Sequence, residues 1–130
     1  VNTYVGRAGD FIAAAALQRL GVQSAISNQD GFDIAIFLNE KSYRLEVKAA
    51  SGVYSINNAK YTFSTNTGSK TKTKLKSADC DVVCLVALPT RTCLFKHISE
   101  ITAKNTRIWC SDFTVENETR SWHETMEMLR

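Results

Sequence analysis

The 130-residue sequence has no apolar run near the ~20 residues that a membrane-spanning helix needs, and it does not begin with the basic-then-apolar pattern of a secretory signal. These absences lead us to expect a cytoplasmic protein without membrane contact. The four cysteines, Cys80, Cys84, Cys93 and Cys110, are few for a disulfide-held scaffold. A single Cys-x3-Cys pair is also a poor zinc signature, so the thiols read as buried and reduced. Neither His97 nor His123 has a carboxylate or cysteine at ligand spacing. No glycine-rich phosphate loop follows a strand, which argues against a sugar- or nucleotide-binding module. Internal repeats and low-complexity tracts are missing as well.

What is present is the composition of one soluble domain over residues 1–130, 44% hydrophobic and 22% charged, at a length that fills one core. The net charge of +3 is unevenly spread. Residues 47–78 hold six lysines (Lys48, Lys60, Lys70, Lys72, Lys74, Lys76) and no acid, leaving 10 basic against 13 acidic residues elsewhere. Such a segment suits a polyanion; a solvated lysine-rich loop has the same composition.

The stretch GRAGDFIAAAALQRLG reads as a first helix, entered through Gly6 and Gly9 and stopped by Gly21. VQSAIS reads as a strand, followed by a turn through Asp30 and Gly31. Residues 32–38 and 41–49 then form a hairpin, KYTFST a further strand, and CDVVCLVAL a strand covered on both faces. TCLFKHI follows as a strand and HISEITAK as a short helix. SWHETMEMLR carries a capping-box pattern from Ser121 to Glu124 and reads as the last helix. The order implies an α/β fold with a central mixed β-sheet and the first helix on one face.

The hairpin FDIAIFLNEKSYRLEVKA places charge where a structural strand pair would not. With the turn centred on Asn39-Glu40, opposed positions sum to 79, and the apolar faces (Ile34, Ile36 with Tyr43, Leu45) coincide. Asp33 then falls opposite Glu46, with Cβ atoms about 4.5–5.5 Å apart. Two carboxylates so placed repel unless a cation joins them, and hard oxygen ligands suit Mg²⁺. Lys48 lies on the same face, where it could activate water or stabilise phosphate charge. Alternatively, Lys48 and Arg44 simply neutralise both acids at a solvent-exposed edge.

Asp33, twelve intervening residues, then Glu46-Val47-Lys48 resembles the core of the PD-(D/E)XK nuclease superfamily, with Phe32 at the position of the motif's proline. The helix through Gly6-x-x-Gly9-Asp10 and Ala13–Leu17 looks like the opening helix of archaeal Holliday-junction resolvases. It is similar also to that of the group-I-intron-associated endonucleases. The resemblance runs from Gly6 to about His97. It implies a restriction-endonuclease-like core, a central mixed sheet flanked by helices, and Mg²⁺-dependent hydrolysis of DNA, with Mn²⁺ able to substitute. Asp33, Glu46 and the main-chain carbonyl of Val47 would hold the ion, and Lys48 would orient water or stabilise the transition state.

Asp10 stands where those relatives carry a glutamate, one methylene longer, so it would reach the ion through water; an acid in a first helical turn also suits the macrodipole. Lys60, Lys70, Lys72, Lys74, Lys76 and Ser51 are candidate DNA contacts, although Ser51 before Gly52 also fits a plain turn. Tyr54, Tyr61 and Asn66 could join them, although Tyr61 and Phe63 fit better as strand residues packed in the core. On a strand the lysines at 70, 72, 74 and 76 would line one face. A domain this small needs a second copy to recognise and cut two strands, so the expectation is a homodimer or homotetramer. Homing-type duplex cleavage, junction resolution and non-catalytic DNA binding remain alternatives.

Overall fold

Alternating apolar residues in the hairpin and a small-residue helix face let three layers close around one sheet. In the computed structural model, which describes residues 2–27, 31–52, 59–68 and 70–130, helix α1 (Asn2–Arg19) opens the chain. Strands β1 (Gln23–Ile26), β2 (Ile34–Leu38) and β3 (Lys41–Ala50) follow, then β4 (Lys60–Ser64), β5 (Asn66–Thr67) and β6 (Thr73–Lys74). Strands β7 (Val82–Ala87), β8 (Thr92–His97) and β9 (Asn105–Trp109) precede helix α2 (Val115–Leu129). The main sheet has the order β1-β2-β3-β7-β8; β3 and β7 run parallel and its other pairs antiparallel.

The hairpin register follows the sum of 79: Ile36 faces Tyr43 and Ile34 faces Leu45. Asn39 and Glu40 both take positive φ, 50° and 67°, the two-residue turn whose twist suits adjoining strands. On one side of the sheet, Ile34, Ile36, Leu45 and Val47 pack with Ala13, Ala16 and Leu17 of α1 and Trp122 of α2. On the other, Val83, Leu85 and Ala87 pack with Tyr61, Phe63 and Phe113. Here the two-stranded β4–β9 ribbon contributes Tyr61 and Phe63, and the turn after β9 contributes Phe113. β3 and β7 are therefore covered on both faces.

Helix α1 starts at Asn2, so Gly6 and Gly9 lie inside it rather than at its entrance. Gly9 has another purpose: a Cβ there would stand 2.9 Å from the Ala49 Cβ, so its bare backbone lets α1 lie directly against β3. Gly21 ends the helix at φ +75°, with Gly21 N–H donating to Gln18 O at 3.0 Å and Val22 N–H to Leu17 O at 2.9 Å.

The last helix starts at Val115, six residues before the sequence suggested, with the Thr114 hydroxyl accepting Asn117 N–H at 3.1 Å. Ser121 is not its cap. Together with Glu118 it seals the edge strand β8: Glu118 Oε1 accepts Cys93 N–H at 2.9 Å and Ser121 Oγ accepts Phe95 N–H at 3.0 Å. Unpaired edge N–H groups would otherwise invite another strand. Residues 98–100 form a single 3₁₀ turn in place of the expected short helix, and β9 follows, a strand not expected from the sequence. Cys80, Cys84 and Cys93 are buried free thiols, and Cys110 is half-buried and free. No helix among the described residues is long and apolar enough to cross a membrane. Asp30 lies outside the described residues.

Candidate active site

The acids meet where β2 stops and β3 continues. The ladder ends at Ile34–Leu45, and Asp33 N–H also reaches Leu45 O at 3.1 Å. Two successive residues thus face one, as in a β-bulge, a device that re-aims side chains. Asp33 is consequently not paired flat against Glu46 as the register alone suggests. Its Oδ2 turns over β3 and accepts Val47 N–H at 2.7 Å, a donor that continued pairing would have given to residue 32. N–H and C=O of one strand residue point the same way, so the Val47 carbonyl also faces this notch.

Glu46 and Lys48 project from the opposite face to Val47. Lys48 Nζ lies 4.0 Å from Glu46 Oε1, and their side chains are only 24% and 17% exposed. Lys48 Nζ also donates to Asn66 O at 3.1 Å, and Asn66 Nδ2 is anchored on Lys104 O at 2.9 Å. This is no solvated edge with two cations answering two acids. Arg44 turns the other way, to Asp81 Oδ1 at 3.4 Å and to the carbonyls of Ser77 and Ala78 at 2.8 Å each, while its N–H donates to Asp81 Oδ2 at 2.8 Å. Arg44 and Asp81 clamp the start of β3 to the turn before β7.

Electrostatics join Asp10, Asp33 and Glu46 into one cluster. Burial pushes the Glu46 carboxyl up to about 8; the charge of Asp33 and a hydrogen bond with it act in the same direction, Lys48 opposes them, and Asp10 adds a further rise. Burial, and then the Asp33 charge, raise Asp10 to about 6 against the pull of Arg7. Asp10 belongs to α1 at the point where Gly9 brings it onto β3. Among the described residues no three His, Cys, Asp or Glu side chains form a ready-made cage for an ion. An ion would rest on the Asp33 and Glu46 carboxylates, the Val47 carbonyl and water. That donor set is all hard oxygen and fits Mg²⁺, which keeps several waters.

The other candidate residues scatter around this centre. Ser51 is exposed just past β3. Lys70, Lys72 and Lys76 are exposed, but the four lysines do not line one strand, since only Thr73–Lys74 is extended there. Lys72 Nζ folds back to Gly68 O at 2.6 Å, and Lys74 Nζ is held by Leu75 O and Ile101 O at 3.1 and 3.2 Å. Lys60 Nζ sits 4.3 Å over the Trp109 ring. Tyr61 and Phe63 are core residues that pack against Phe113, Tyr61 edge-on and Phe63 tilted, and Tyr54 lies outside the described residues. The Asn66 carbonyl and the Arg44–Asp81 clamp escaped sequence reading, being main-chain or long-range contacts.

Comparison with protein-family models gives no match, and comparison with curated proteins gives none. Among solved structures the chain is similar to the bacterial homing endonuclease I-Ssp6803I, with a TM-score of 0.77 over 97% of this chain and 93% of that one. The fold is nuclease-like. Sequence identity to that protein is 10%, so the likeness concerns the path of the backbone, and chemistry has to be argued from this chain's own residues.

Proposed function

We propose that the protein is a metal-dependent DNA endonuclease of the PD-(D/E)XK kind, cutting duplex DNA at a defined site in the manner of a homing enzyme. One observation carries this reading. Asp33 and Glu46 are pressed together in a half-buried notch, with Lys48 against Glu46 and Asp10 close enough to feel their charge. A purely structural hairpin gains nothing from two carboxyl groups held side by side, whereas a divalent cation reverses the sign of the interaction between their charges.

Asp33, Glu46 and the Val47 carbonyl would hold Mg²⁺, and Asp10 would support it through water. When bound, the ion acidifies water and offsets charge on the scissile phosphate. The chain's own groups do the rest. The Asp33 carboxylate is fixed by Val47 N–H. The Lys48 ammonium, one donor committed to Asn66 O, keeps two for the attacking water or a phosphate oxygen, stabilising charge as it develops. Lys60, Lys70, Lys72 and Lys76 would contact the DNA backbone, with affinity falling as salt rises. A homodimer or homotetramer would bring two such notches to two strands.

The test incubates linear duplex, plasmid and four-way-junction DNA with protein and Mg²⁺ or Mn²⁺. Wild type should cut the duplex forms, and Glu46→Gln and Lys48→Ala should not. Inactivity of wild type on every DNA form would contradict the assignment, as would equal cutting by the variants. Preference for the junction would convert the reading to a resolvase.

A further inference from the structure

The β4–β9 ribbon was not expected from the sequence, and of its outer face only Lys60 enters the reading above. Its register pairs Lys60 with Trp109, Thr62 with Arg107 and Ser64 with Asn105. These six residues share one face, because the alternate positions Tyr61, Phe63 and Ile108 pack inward. The outer six are cationic, amide, hydroxyl or aromatic, and none is acidic. A merely solvated face would account for the polarity. It would not account for a tryptophan 53% exposed. Nor would it account for Arg107, exposed mid-ribbon and absent from the four ion pairs found among the described residues.

We infer that this outer face enters the major groove of duplex DNA and reads base edges. The groove, about 12 Å wide, admits a two-stranded ribbon. Arg107 offers the fork that matches guanine O6 and N7, Asn105 the amide that matches adenine N6 and N7, and Thr62 a hydroxyl suited to either. Lys60 is placed to meet a flanking phosphate. The inference rests on the DNA reading above and adds which surface recognises sequence. The chain leads from Ser64 at the ribbon's end to Asn66, whose carbonyl holds Lys48 Nζ. Only Thr65 therefore separates the ribbon from the carbonyl that holds Lys48.

The test is selection by the full chain from a pool of randomised linear duplexes without divalent cations, followed by binding measurements. Wild type should enrich one sequence. Arg107→Ala should lose on the order of tenfold in preference for it over bulk duplex and relax one position towards any base. Arg107→Lys should keep bulk affinity but lose that preference, because an ammonium has no fork. Lys70→Ala should weaken all duplexes alike. Emission from exposed Trp109, with Trp122 buried at 1% exposure, should change on titration with the enriched duplex and fall silent in Trp109→Phe.

If no sequence is enriched, or Arg107→Ala and Asn105→Ala enrich the wild-type sequence equally well, or Arg107→Lys retains full preference, the inference fails. Sequence preference without cutting overturns only the nuclease assignment. Cutting that is indifferent to the ribbon variants overturns only this one.

Discussion

The Asp33 carboxylate accepts the Val47 N–H at 2.7 Å although the ladder joining their strands has already ended at Ile34–Leu45. One side chain thus replaces a missing strand residue and at the same time presents negative charge at the notch. The two tasks separate by substitution. Asp33→Asn keeps an oxygen for Val47 N–H and should melt near wild type, whereas Asp33→Ala should lose about 1–3 kcal/mol. Both should lose DNA cleavage by on the order of a hundredfold. Thermal melting alongside a cleavage assay checks the pair; an active Asp33→Ala would remove Asp33 from the site.

Glu46 links the site to pH. Its carboxyl is raised to about 8 by burial and Asp33, so the folded chain binds a proton there that the unfolded chain releases near its ordinary value of about 4.5. Stability from this group is complete below that value and is lost as pH rises through 8. Without divalent ions, the melting temperature should fall between pH 5 and 8.5. Mg²⁺ should counter the fall, because it binds the ionised form and releases protons. Glu46→Gln should flatten both dependences. Melting curves with Mg²⁺ or EDTA across this range decide the matter.

Lys48→Met keeps the apolar stem and deletes the charge. Cleavage should drop by on the order of a hundredfold, with melting changed by no more than a few degrees. If Lys48 served only to hold Asn66 O, activity would survive while the melting temperature fell. Single-turnover cleavage under saturating DNA separates the two results.

Two glycines of α1 should respond oppositely. At Gly6 a Cβ meets nothing within 4 Å, so Gly6→Ala should stabilise the helix by about 0.5–1 kcal/mol. At Gly9 the same methyl would collide with Ala49, and Gly9→Ala should cost about 1–3 kcal/mol through overpacking. It should also reduce cleavage, since pushing α1 away moves Asp10. Denaturant midpoints for the two variants test the contrast.

Glu118 is 2% exposed and accepts both Arg19 and Cys93 N–H at 2.9 Å. Glu118→Ala should destabilise by about 1–3 kcal/mol, chiefly because it leaves the buried Cys93 N–H unpaired while the half-exposed Arg19 turns to water. Cleavage measured well below the melting point should be unchanged, because this carboxylate serves the β8 edge and not the notch.

Much of this was legible in the sequence where the rule is local. The period-2 pattern and the Asn39-Glu40 turn set the hairpin register, and Gly21 marks the end of α1. Contacts across the fold were not legible. The bulge at Asp33 depends on where β2 parts from β3, and no pattern within residues 32–49 encodes that. Ser121 mimics a cap because Glu124 follows it, yet its hydroxyl answers β8, a distant strand. β9 has no clear period-2 signal, because its outward positions mix Asn105 and Arg107 with Trp109 and its inward ones, Thr106 and Ile108, give only a short alternation. The lysine run suggested one charged face, but backbone carbonyls capture Lys72 and Lys74 individually.

The ribbon's connectivity also sets an order of assembly. Asp33 and Glu46 are brought together by a hairpin with a two-residue turn, an event that takes microseconds. β4 and β9 are separated by about 40 residues of chain, and closing so long a loop is slower because more chain entropy is lost before contacts form. A folding molecule should therefore bring Asp33 and Glu46 together before it completes the outer face of the ribbon. Substitutions on the ribbon should then speed unfolding and leave the folding rate nearly unaltered.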